Sequence, residues 1–319
     1  MEGELWPILY AWVVAEATLR PRRKRVRYSD GVIVLVVLWA ALHDRPLSWA
    51  CRAGNWGGAD SLPWGGESLP SPATLSRRTR QPSFWLLLAG VFDAIRAADG
   101  PPPLARVVDG KRSRNWRLPG DPEPVSGFSK DRDAKWGWAT DAKAKGYKLF
   151  AAWNAVWRVP DAWVMGPMNR AEPEAAATSL APQLSGGGYV LGDVVYDSNP
   201  AYASFAARGL QLLAARKCPP GTGLGHGPQT PGRLRSIALL ETPAAGDLPG
   251  PGAGTAPFAR DLYALRGGIE RRFGHCGNFG GGLEPLPNWV RRPRRVVMWN
   301  AAKLLINAAR LTKNKGLAA

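Results

Sequence analysis

Leu104-Ala105-Arg106-Val107-Val108-Asp109-Gly110-Lys111 is the stretch on which the fold turns. A short apolar run that ends on an aspartate reads as a buried strand delivering a carboxylate. It follows the clearest linker in the chain, Ala98-Asp99-Gly100-Pro101-Pro102-Pro103. Gly and Pro end regular structure, so a boundary is expected there.

Downstream, Tyr147–Trp153, Asp161–Met165, Tyr189–Leu191 and Leu210–Ala214 read as further strands. Helices are expected over Glu172–Leu184, Asn199–Arg208, Phe258–Gly274 and Val296–Leu311. Strands first and then strands alternating with helices predict an α/β architecture with a mixed sheet. Lys217–Ala256 is rich in Gly and Pro and reads as a long insertion, with one strand at Arg233–Leu240.

Upstream, residues 1–100 read as helical. Glu4–Ala17 and Phe84–Ala98 are helix patterns, with a short helix at Leu47–Arg52. Val32-Ile33-Val34-Leu35-Val36-Val37 suits a strand equally well, but Ser29-Asp30 is a good cap and the run continues to His43, which favours a helix. Ser71 is expected to cap a helix that starts at Pro72 and ends in Arg77, Arg78 and Arg80. Helices at 30–43, 47–52 and 72–80 suit either a helix-turn-helix-like unit or a helical cap. The expected domains are 1–100, a helical region and candidate DNA-binding unit, and 104–315, the strand-rich region with its insertion at 217–256.

With 42 Lys and Arg against 25 Asp and Glu, the chain carries a net charge of +17. That balance points to a polyanionic partner, nucleic acid first, and away from small-metabolite enzymes. The basic residues cluster at Arg22-Arg23-Lys24-Arg25, at Arg77 and Arg78, at Lys111, Arg112 and Arg114, and at Arg291–Arg295. Such clusters supply phosphate contacts with little sequence readout. Cys51, Cys218 and Cys276 show no metal-binding spacing and suit a reducing cytoplasm. The longest apolar run, Gly31–Leu42, is too short to span a bilayer, and no targeting segment is expected.

Three acids stand out against this basic background. Asp109 and Asp193 both follow apolar strand patterns, and Glu270 lies in a helix pattern with Arg266 and Phe273. Three convergent carboxylates suffice to hold Mg²⁺, an oxygen-seeking ion, for two-metal phosphoryl transfer. Taken singly, each has a plainer reading: a turn aspartate before Gly110, or a solvated helix pair between Glu270 and Arg266. Asp197 competes with Asp193. Asp193 directly ends its strand pattern and is preferred, and Asp197 is expected to cap the next helix with Ser198.

The motifs together resemble those of insertion-sequence transposases of the DDE type. Val108-Asp109-Gly110 resembles the first-aspartate strand, and Gly146-Tyr147-Lys148-Leu149 the second strand. Asn169–Ala175 matches the helix start after the third strand. Leu191-Gly192-Asp193 with Tyr196-Asp197-Ser198 resembles the second-aspartate block, and Tyr263, Arg266 and Glu270 the signature around the third acid.

This resemblance covers roughly 104–310. It implies a ribonuclease-H-like catalytic domain in which Asp109, Asp193 and Glu270 bind two Mg²⁺ ions, with Mn²⁺ as a substitute. It further implies that Tyr263 and Arg266 contact double-stranded DNA at the element's ends, with Arg271 close by. A homodimer on DNA, in a bacterial cytoplasm at the nucleoid, is the implied setting. Gly277 stands where the family pattern often has Lys, and Lys111 where Ser or Thr is commoner. An inactive DNA-binding derivative, or a nuclease of the same fold, is the alternative.

Overall fold

In a computed structural model, the described residues are 2–21, 26–57, 68–114, 131–139, 142–218, 223–224, 228–241, 257–277, 283 and 286–317. The cluster Arg22–Arg25, much of the loop between Gly54 and Pro70, and most of the Gly/Pro-rich insertion lie outside them. The chain divides into two compact units: Met1–Pro101 with His275–Ala319, and Pro102–Gly274.

The first unit is helical: α1 (Glu2–Thr18), α2 (Asp30–Leu42), α3 (Leu47–Ala50), α4 (Pro72–Arg78) and α5 (Pro82–Asp99). The Ser29 hydroxyl accepts from the Val32 amide at 3.2 Å, so the cap does settle α2 as a helix. Its β-branched run is buried almost all round, which explains the lack of an amphipathic pattern. Ser71 caps α4 in the same way through the Thr74 amide.

The second unit contains β1 (Ala105–Arg114), β2 (Lys135–Ala139), β3 (Ala142–Trp153), β4 (Ala162–Pro167), α6 (Glu172–Ala175), β5 (Gly188–Gly192), α7 (Asn199–Ala206), β6 (Leu210–Ala214), α8 (Pro231–Glu241), α9 (Pro257–Ala264) and α10 (Gly268–Gly277, as far as Gly274). α6 runs on as a π turn and a 3-10 turn to Gln183. The last helix, α11 (Pro293–Leu317), belongs to the helical unit, although the sequence pattern grouped it with the strands. The reason is a buried polar stripe, Asn300, Lys303 and Asn307. Lys303 donates to the Ala41 carbonyl at 2.7 Å and pairs with Asp44.

The strands form one mixed sheet in the order β2-β3-β1-β5-β6, with β4 also on β3. β1 pairs antiparallel with β3 and parallel with β5, and β5 is parallel to β6. This is the mixed α/β sheet that the order of strand and helix patterns predicted. Strand alternation gives it two faces. On one, Val108, Phe150, Val190 and Leu212 pack with Leu180, Tyr202 and Phe205. On the other, the Trp153 ring meets Phe273 edge-on at 6.3 Å, and Tyr189 meets Phe258 at 5.8 Å. The second face is therefore covered by α9 and α10.

Two local expectations are corrected. Arg233–Leu240 is helical, not a strand. Its buried face is polar: Arg233 pairs with Asp197, and Ser236 bonds to the Ala214 amide and carbonyl. A helix whose inner face is polar leaves no apolar period to read. The pattern from Phe258 to Gly274 is broken by a 3-10 turn at Leu265–Gly267, where consecutive glycines weaken a helix.

Candidate active site

Asp109 lies in mid-strand, since β1 runs on to Arg114. By alternation it shares the α9–α10 face with Val107 and Lys111, and it stands opposite Ala151 of β3. One carboxylate oxygen accepts from the Gly110 amide at 2.7 Å. Asp193 follows the last residue of β5, and one oxygen accepts from the Val195 amide at 2.9 Å, capping a 3-10 turn. Each aspartate thus has one oxygen fixed by the backbone and the other without a hydrogen bond among the described residues. Glu270 lies exposed in the first turn of α10.

Asp109 lies within electrostatic reach of Asp193 and Glu270. Burial, and then the charges of Glu172, Asp193 and Glu270, push the Asp109 carboxyl up to about 7 against the Gly110 hydrogen bond. Glu172 in α6, Asp193 after β5 and Glu270 in α10, far apart in sequence, thus act on the one Asp109 carboxyl. In the sequence the fourth acid, Glu172, reads only as a helix start. Its carboxylate accepts from Lys148 at 2.9 Å, and a Cβ at Gly110 would come within 2.9 Å of it. A side chain at 110 would therefore displace the pair. The Tyr196 hydroxyl is buried beside Glu172 and outside hydrogen-bond geometry with it. Burial, then Glu172, Asp109 and Asp193, raise this phenol well above its ordinary value.

The donor set is all carboxylate oxygen, which suits a hard divalent cation. A cation would also relieve the repulsion that raises Asp109. Among the described residues, no three His, Cys, Asp or Glu side chains converge as a ready cation cage. The acids stand within electrostatic reach and not in a coordinating arrangement.

Asp197 is committed elsewhere. It takes two hydrogen bonds from Arg233, at 2.7 and 2.8 Å, and one from the Lys217 amide. Burial works to raise its carboxyl, but Arg233 and the Lys217 amide outweigh it and hold it below the ordinary value. It does not cap α7, and Ser198, at the cap position, makes no side-chain bond there either.

Tyr263 is engaged with the sheet. Its hydroxyl donates to the Gly192 carbonyl at 2.9 Å and accepts from the Ala215 amide at 3.3 Å. It therefore ties α9, the element before Glu270, to the strand ends beside Asp193. Arg266 lies 5.9 Å over its ring. Arg271 is exposed, and Lys111 is partly so, on the Asp109 face. Arg112 lies in β1 with its side chain outside the described set. In the helical unit, Arg77 is exposed, whereas Arg78 pairs with Asp30 at 2.6 Å and donates to the Tyr28 carbonyl at 2.7 Å.

The raised Asp109 carboxyl makes a testable statement. Its unfolded value is about 3.8 and its folded value about 7, so between them only the folded chain holds the proton. Stability from this group therefore falls as pH rises through that window. In EDTA, Asp109→Asn should be more stable than the parent by about 2–4 kcal/mol at pH 8, with the gain shrinking toward pH 4. Urea titrations at both pH values measure it, and a pH-independent difference would contradict the assignment.

The family described as "Transposase DDE domain" matches residues 101–305. No curated protein matches the chain. Among solved structures, a piggyBac transposase synaptic complex with hairpin DNA is similar, with TM-score 0.43 and 12% identity over 98% of this chain and 74% of that one.

Proposed function

Because the chain belongs to the transposase DDE-domain family, we propose that it is a DNA transposase that nicks the ends of an insertion sequence and joins the freed 3′-hydroxyl to target DNA. The observation that carries this reading is the shared electrostatic field of Asp109, Asp193 and Glu270, on the face covered by α9 and α10. Those three would hold Mg²⁺, or Mn²⁺ in its place. Ions bound there would supply Lewis acidity at the attacking and leaving oxygens of an in-line displacement.

The remaining work falls to the protein. The Gly110 and Val195 amides orient the two aspartates and leave one oxygen of each for a ligand. Lys111, Arg266 and Arg271 line the approach with positive charge for the phosphate backbone. Arg77 offers a further contact from the helical unit. Two ends must react in concert, so the working form is a homodimer on double-stranded DNA, at the nucleoid of a bacterial cytoplasm. No helix among the described residues is long and apolar enough to cross a membrane.

Tyr263 acts in this reading by position. Tyr263→Phe should lower the cleavage rate by about tenfold while leaving DNA affinity within about twofold, because it removes two hydrogen bonds of roughly 1 kcal/mol each. Rate and binding measured side by side check this; a loss confined to binding would return the residue to direct DNA contact.

The absence of a ready cation cage among the described residues favours the second reading, a non-catalytic DNA-binding derivative. Labelled end DNA incubated with Mg²⁺ or EDTA separates the readings. Nicked and joined products that need Mg²⁺ support the transposase, and cut DNA that is never joined points to a nuclease. Binding that is indifferent to Mg²⁺, without cleavage, points to the derivative.

A further inference from the structure

Arginines from three places come together on the helical unit. A cavity there is lined by Ser76 and Thr79 at the end of α4, by Arg45 in the turn after α2, and by Arg294 and Arg295 at the start of α11. Arg80, one residue past Thr79, is the first of three cations whose charge acts on Arg294, ahead of Arg295 and Arg292. Burial and then these like charges hold the Arg294 guanidinium below its ordinary value. Arg45, Arg80 and Arg295 are exposed, and Arg294 is partly so. No Asp or Glu lines the cavity, and among the described residues no carboxylate pairs with these four arginines. Trp299, 6% exposed, lines the same cavity, and its indole N–H has no hydrogen-bond partner among the described residues. The cavity thus lacks an acceptor as well as a negative charge.

This arrangement runs against two electrostatic preferences. The first turn of a helix favours acids, because its unpaired N–H groups carry partial positive charge. α11 is 25 residues long, has no acid in its first turn and carries Arg294 and Arg295 there. Like charges held together also repel unless an anion lies between them. A surface built for solubility intersperses its charges, whereas these converge from segments far apart in sequence. An anion at the first turn of α11 would relieve both conflicts, and guanidinium forks suit phosphate oxygens. The net charge of +17 and the transposase family make DNA the source of that phosphate. The sequence pattern pointed to Arg77 and Arg78, but Arg78 is held by Asp30 and the Tyr28 carbonyl. Arg80 joins the cluster instead.

We propose that Arg80, Arg294 and Arg295 form a phosphate-binding site for the DNA backbone on the helical unit, with Arg45 at its edge. This rests on the reading that the chain acts on DNA. It adds a hold on DNA in the unit that carries none of the three acids.

Fluorescence anisotropy with a labelled duplex over a range of salt concentrations tests it, together with thermal melting in low salt with and without inorganic phosphate. The proteins are the full chain, the Arg80→Gln/Arg294→Gln/Arg295→Gln variant and a charge-matched Arg208→Gln/Arg235→Gln/Lys315→Gln variant, whose exposed cations do not line the cavity. The cluster variant should lose at least about tenfold in affinity, and its salt slope should fall by about two to three, while the matched variant loses less than about threefold. Phosphate should raise the melting point of the full chain and leave that of the cluster variant unchanged. Without phosphate the cluster variant should melt no lower than the full chain. Equal losses in the two variants, or no loss in either, would overturn the site while leaving the DNA reading intact. A cluster variant that melts lower would make the arginines a packing device and overturn the site as well. A full chain stabilised by phosphate that binds no duplex would mark a site for free phosphate and overturn the DNA assignment. A full chain that does neither would overturn both readings.

Discussion

Asp193→Ala should reduce Mg²⁺-dependent nicking of end DNA by about a thousandfold or more, to the level seen in EDTA. Asp193 stands at the end of β5, and its backbone-held oxygen leaves the other for a cation. Losing one of three carboxylates removes several kcal/mol of charge stabilisation from the transition state, and each 1.4 kcal/mol is tenfold in rate. DNA binding should stay within about threefold, because phosphate affinity resides in the lysines and arginines. Asp197→Ala is the informative comparison. Its carboxylate is already taken by Arg233 and the Lys217 amide, so that variant should lose stability. Nicking that survives in Asp193→Ala and vanishes in a still-folded Asp197→Ala would reverse the assignment.

Arg106→Ala should destabilise the sheet unit by about 3–5 kcal/mol, because a buried charge left without its partner is costly. Arg106 and Asp161 pair at 2.9 Å with both side chains 2% exposed. The same guanidinium donates to the Ser185 carbonyl at 3.1 Å, while Asn154 donates to the second Asp161 oxygen at 2.7 Å. One side chain thus joins β1 to the start of β4 and to the loop entering β5. That loop ends at Gly188, with φ +116° and a Cβ position 2.3 Å from the Leu104 carbonyl, so only glycine fits. A melting point lowered by roughly 10 °C is the expected readout. A change under about 1 kcal/mol would mean that water enters and solvates Asp161.

The sequence made some of this plain and concealed the rest for physical reasons. Ser29 and Ser71 announced α2 and α4 because a cap is a local bond between residues three apart. Val107-Val108 and Val190-Leu191 announced β1 and β5 because a buried strand must be apolar. Glu172 stayed hidden because it meets Lys148 and Gly110 only in three dimensions. α8 stayed hidden because Arg233 and Ser236 are its inward residues. Tyr263 and Arg78 read as DNA contacts, yet one hydroxyl holds two strand ends and one guanidinium holds Asp30 and Tyr28. Such ties leave no trace in spacing.

The parallel pairing of β1 with β5 has a consequence in time. Asp109 and Asp193 come together only after a loop of about 80 residues closes, and non-local closure of that kind is slow relative to local helix formation. Glu270 is made later still, so during synthesis the acid set stays incomplete until α10 has left the ribosome. A growing or truncated chain can carry the basic surface without the full acid set. On the proposed function, DNA encountered at that stage would be bound and left uncut.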